Sequence, residues 1–80
     1  MSWTNEIPDD AYVLVSQGIA IGWRSTKEEA LLEAQKSNKW FLDYKQYCLD
    51  NYEPYADNAV YVFYQGELIA DEYGEVHNEL

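Results

Sequence analysis

Apolar residues recur along this chain with two different periods. Over residues 25–50 the period is helical: at about 100° per residue, Ala30, Ala34, Ser37, Phe41, Tyr44 and Cys48 fall on one narrow stripe flanked by Leu31 and Leu49. Ser25 or Thr26 can cap the start, each with a glutamate three residues on (Glu28 or Glu29) to close a capping box. On either side the apolar runs are short and strand-like. Residues 11–16 and 19–24 flank Gln17-Gly18, and residues 59–64 and 67–73 flank Gln65-Gly66. Glycine at the second loop position suits a type I′ hairpin turn, with Gln a poor substitute for Asn or Asp at the first.

The predicted class is therefore α+β, in the order ββαββ. Two hairpins form one four-stranded antiparallel sheet, and the helix packs on one of its faces, because neither a lone helix nor a lone hairpin buries its apolar side. Residues 1–10 read as an arm anchored by Trp3, with a turn at Pro8-Asp9-Asp10, residues 11–73 as the domain, and residues 74–80 as a polar tail. Two-residue turns set the expected registers. Tyr12 opposes Trp23, Leu14 opposes Ile21 and Ser16 opposes Ile19 on one face; Val13 opposes Gly22 and Val15 opposes Ala20 on the other. In the second hairpin Tyr61, Phe63, Leu68 and Ala70 share a face, and Val60, Val62, Ile69 and Asp71 share the opposite one. Ser37, Asn38 and Lys39 are three poorer helix positions in a row, so a break into two shorter helices is the alternative. Both hairpins run Tyr-Val into Gln-Gly and out through Ile-Ala, an echo that common turn chemistry explains as well as duplication does.

Eighty residues make a small domain, which buries only about 60% of its unfolded surface and needs large side chains in its core. Three Trp, eight Tyr and two Phe meet that need. A single cysteine excludes an internal disulfide and a cysteine-rich zinc site. No apolar run approaches a membrane span, and the N-terminus lacks a basic start, so a soluble, cytoplasmic protein is expected.

Charge changes the picture most. Fifteen acidic residues face five basic ones, for a net −10, and all five basic residues lie between Arg24 and Lys45. From Gln46 to the end there are eight acids and no Lys or Arg. Such a surface repels nucleic acid and anionic membrane, and its natural partners are basic protein surfaces. Cys48 lies on the core stripe in an acidic setting, so it reads as a packing residue rather than a nucleophile. Asp71, Glu72, Glu75, His77 and Glu79 do not match a calcium-hand loop, and His77 reads as solvated. No phosphate loop, catalytic triad or framed carboxylate pair is present. The expectation is a non-enzymatic protein that needs no cofactor and no metal.

In being very small, cysteine-poor, strongly acidic and aromatic-rich, the chain resembles the anti-restriction and anti-CRISPR proteins of bacteriophages; that likeness is one of size and composition. It implies an inhibitor that occupies a nucleic-acid-binding groove of another protein, with carboxylates standing where phosphates would, in the host cytoplasm if phage-encoded. The candidate partner-binding residues are Asp50, Glu53, Asp57, Glu67, Asp71, Glu72 and Glu75, with Trp40 and Tyr47, which share a helix flank about 100° from the core stripe. The alternative is an adaptor or homodimer that binds through that aromatic flank or through the apolar second face of the sheet.

Overall fold

The structure, a computed structural model, describes residues 7–76, so Trp3, His77 and Glu79 lie outside the described residues. Its elements are β1 (Tyr12–Ser16), β2 (Ile19–Arg24), α1 (Lys27–Asp50), β3 (Tyr61–Tyr64), β4 (Glu67–Asp71) and β5 (Gly74–Glu75). The fold is α+β as expected, but among the described residues its antiparallel sheet has five strands rather than four, in the order β2-β1-β3-β4-β5. The extra strand comes from the stretch read as a polar tail: Ala70 pairs with Glu75, Asp71 with Gly74, and the Val76 amide donates to the Ile69 carbonyl (2.9 Å). Gly74, at φ +120, takes a backbone conformation that L side chains rarely adopt, which lets β4 turn back on itself.

Thr26 is the helix cap. Its hydroxyl oxygen accepts from the Glu29 amide (3.2 Å) while its hydroxyl donates to the Glu29 carboxylate (2.9 Å). The helix runs unbroken through residues 37–39, contrary to the alternative of two shorter helices. Within this stretch Asn38 turns its side chain toward the sheet and bonds Val60, the residue just before β3. Its amide donates to the Val60 carbonyl (2.8 Å) and its oxygen accepts from the Val60 amide (2.7 Å). One side chain thus serves Val60 as a neighbouring strand would, and it is only 3% exposed. The buried stripe accordingly runs Ala30, Ala34, Asn38, Phe41, Cys48. Ser37, expected on it, is exposed, and Tyr44 is half-buried.

Both hairpin turns have the two left-handed residues that type I′ requires, at Gln17 (φ 55) and Gly18 (φ 75) and at Gln65 (φ 51) and Gly66 (φ 81). The expected pairs Val15–Ala20 and Ser16–Ile19 are present, but a bulge follows. Leu14 pairs with Gly22, Val13 with Trp23 and Tyr12 with Arg24, with Ile21 as the extra residue. The second hairpin repeats this, since Phe63 pairs with Leu68 and Val62 with Ala70, leaving Ile69 extra. Ala70 therefore shares a face with Val62, not with Phe63 as the unbulged register requires. The two hairpins correspond without gaps at an offset of 48 residues (Gln17 to Gln65, Ile21 to Ile69), and the equivalent residues Leu14 and Val62 pair across the β1–β3 seam.

The helix covers the face that carries Leu14, Val62 and Ala70. These form one cluster with Ala30, Ala34 and Val60, joined at the edge by Tyr12, Leu31 and Ile69. The alanines let the helix backbone approach the sheet closely. Phe41 and Cys48 are buried outside that cluster. Phe41 meets the Tyr55 ring edge-on, at 6.4 Å between centroids, so the return segment 51–60 covers Phe41. On the opposite face Trp23, Val13, Phe63 and Leu68 form one cross-strand row over four strands.

The helix ends in a Schellman arrangement: the Glu53 amide donates to the Cys48 carbonyl (2.8 Å) and the Tyr52 amide to the Leu49 carbonyl (3.3 Å). The left-handed position this demands is filled by Tyr52 (φ 56), where glycine is usual, and the residue is 97% exposed. Tyr52→Gly should therefore raise stability by about 1 kcal/mol, or roughly 4–8 °C in a thermal melt. A lower melting temperature would show that the tyrosine ring contributes packing energy.

Candidate functional site

On the side where α1 meets the C-terminal edge of the sheet, a groove of about 490 Å³ opens. The helix contributes Leu31, Gln35, Asn38 and Leu42, spaced four, three and four residues apart along one flank, together with Ala34 and Lys39. From the sheet come Ala70, Asp71, Glu72, Tyr73, Gly74 and Glu75. The floor is apolar, formed by Leu31, Ala34, Leu42 and Ala70. The rim carries the carboxylates of Asp71, Glu72 and Glu75 and the ammonium of Lys39, with Lys27 paired to Glu75 from outside the lining. The groove exists because β5 folds back under the helix and because the bulge at Ile69 turns Ala70, a side chain too small to fill the space, toward α1.

Each rim acid has a different tie. Glu75 pairs with Lys27, whose pKa that contact raises, first through the hydrogen bond and then through the charge. Asp71 accepts from the Tyr73 amide (2.9 Å) and so shapes the β4–β5 turn. Glu72 has no hydrogen bond or ion pair among the described residues, and its carboxylate is felt by two neighbours. Burial, then the charges of Glu72 and Asp57, raise the Tyr61 phenol above its ordinary pKa. Desolvation works against the charged form of Lys45, but Tyr55, then Tyr73 and last Glu72 outweigh it and raise its pKa; the ammonium lies 5.7 Å from the Tyr55 ring centroid and 6.0 Å from that of Tyr73.

The acids predicted from sequence are thus divided by the fold. Asp71, Glu72 and Glu75 converge on the groove. Asp57 sits at the same end of the sheet, where it accepts from the Ala59 amide (3.2 Å) and the Tyr61 hydroxyl (3.4 Å). Asp50 and Glu53 flank the helix C-terminus; Asp50 accepts from Gln46 (2.9 Å), and no basic residue occupies the last turn, so the negative end of the helix dipole is not offset there. Glu67 stands at the Gln65-Gly66 turn, the far end of β4 from Asp71. The C-terminal segment lacks Lys and Arg in sequence, but Lys27 and Lys45 reach it in space. Arg24 meets Glu33 (3.5 Å), so three of the five basic residues are engaged within the fold.

Trp40 and Tyr47 do lie on an exposed flank, 73% and 60% accessible, and Trp40 stacks on Tyr44 with centroids 6.1 Å apart. That flank is on the other side of the helix from the groove. The groove floor was missed in the sequence because Leu31 read as the edge of the core stripe and Leu42 was not singled out at all. Their four-three-four spacing with Gln35 and Asn38 is the signal that marks a separate face. Among the described residues there is no group of three or more His, Cys, Asp or Glu able to hold a metal ion, and no helix is long and apolar enough to cross a membrane. No protein-family model, curated protein or solved structure matches the chain.

Proposed function

We propose that this chain is a non-enzymatic protein-binding module that docks on a basic protein surface, with the groove between α1 and the β4–β5 edge as its contact site. The observation that carries this reading is the pairing of an apolar floor (Leu31, Ala34, Leu42, Ala70) with the carboxylate rim of Asp71, Glu72 and Glu75. Such a groove takes apolar side chains into its floor while Lys or Arg on the same segment meet the rim, the usual division between contacts that hold a complex and charges that steer it. The net charge of −10 extends this attraction beyond the groove. The sharpest form of the proposal is an inhibitor that covers a nucleic-acid-binding groove of its partner. The one thiol, Cys48, is buried, and is a packing residue in this reading.

An amphipathic peptide of alternating leucine and arginine is a suitable probe. Titrated into the labelled protein, it should shift the amide signals of Leu31, Leu42, Ala70 and Tyr73, and binding should weaken as NaCl rises from about 0.05 to about 0.5 M. Glu72→Lys should weaken binding about tenfold, mainly through the association rate, whereas Glu28→Lys, at the helix start, should change it by less than about twofold. Equal effects from the two variants, or shifts that map away from the groove, would exclude it as the site.

A further inference from the structure

The aromatic flank of the helix differs in charge from the rest of the protein. Lys36, Trp40, Asp43 and Tyr47 follow one another at intervals of four, three and four residues, within about 60° around the helix axis. All four are exposed. Lys36 and Asp43 make no hydrogen bond or ion pair among the described residues. The Trp40 ring stacks on that of Tyr44, with planes 16° from parallel, so it is held in one orientation on the helix surface. A purely basic partner suits this flank poorly, because Lys36 would repel it.

A second copy of the chain suits it well. When two such helices cross antiparallel about a two-fold axis between residues 39 and 40, Lys36 and Asp43 lie equally far from the axis, about 5 Å on either side. Each Lys36 then faces the partner's Asp43, and the two Trp40 rings meet at the centre. The same residues recognise each other in both directions, which a closed two-fold interface requires.

We infer that the Lys36–Trp40–Asp43–Tyr47 flank is a self-complementary dimer surface. It goes beyond the docking proposal and is independent of it, since the flank lies about 140° around the helix from Leu31 and Leu42. A dimer built this way leaves both acidic grooves open and so presents two docking sites, which strengthens attachment to a partner with repeated basic segments. The opposing term is the repulsion between two copies that each carry −10. Salt screens that long-range repulsion, so dimerisation should grow with ionic strength while peptide docking in the groove declines.

Sedimentation equilibrium of the whole chain at up to about millimolar concentration, in about 0.5 M NaCl, tests this. The wild type should dimerise. Trp40→Ala, at an exposed position, should weaken association at least about tenfold while the monomer stays folded, with a small drop in melting temperature from the lost stack on Tyr44. Lys36→Asp should weaken it more than Lys39→Asp, which makes the same charge change on another side of the helix. The double swap Lys36→Asp with Asp43→Lys keeps the net charge at −10 and should restore the dimer, because the two pairs re-form with their signs exchanged. A wild type that stays monomeric, a dimer that survives Trp40→Ala, or a double swap that fails to rescue would each overturn the inference. The groove titration in Trp40→Ala is unaffected by these outcomes, so the two proposals fail separately.

Discussion

Replacing Phe41 with alanine is expected to cost about 3–5 kcal/mol. The whole unfolding free energy of an 80-residue domain is roughly 4–12 kcal/mol, so the substitution should remove at least about a quarter of it and lower the urea midpoint in proportion. Phe41 is 3% exposed and is the largest buried side chain in the C-terminal half of the helix, where it anchors the return segment through Tyr55. Truncation leaves a cavity that the segment fills only by collapsing inward, and a partial collapse recovers part of the loss. A urea titration gives the answer. A midpoint close to that of the wild type would show that the return segment, not the ring, holds this half of the helix in place.

Asn38→Ala should cost about 3 kcal/mol by a different route. It leaves both the amide and the carbonyl of Val60, a residue 6% exposed just before β3, without their partner, at about 1–3 kcal/mol for each unsatisfied group. Asn38→Leu, which fills the space, should recover little, because the penalty lies in the backbone groups rather than in volume. Hydrogen exchange separates this from general destabilisation: the Val60 amide should lose protection beyond the global loss seen at Val62. Equal losses at the two amides would mean that the side chain contributes packing only. The Phe41 and Asn38 sites lie on adjacent turns of one helix, so their effects should not add simply.

How far the fold is legible in the sequence follows from the range of each interaction. The span of α1, its Thr26 cap, the two Gln-Gly turns and the flank that carries Trp40 and Tyr47 all depend on residues within a few positions of one another. Local periodicity and turn chemistry therefore determined them, and the strand-strand-helix-strand-strand order followed. The facing of Gly22 and Ala70 was decided only in the assembled sheet. A bulge inserts one residue, and one residue turns a strand's side chains to the other face. Neither Ile21 nor Ile69 carries a mark of its bulge that distinguishes it from an ordinary strand isoleucine. Asn38 read as a weak helix position because its value lies in Val60, 22 residues away. The carboxylates of the C-terminal segment were legible as a concentration of charge. Which of them meet one another was not, because Lys27, 48 residues from Glu75 in the chain, is brought to it only when β5 folds back beneath the helix. Near-neighbour patterns thus determined the elements of this protein, and long-range closure of the sheet decided which acids and apolar side chains form its groove.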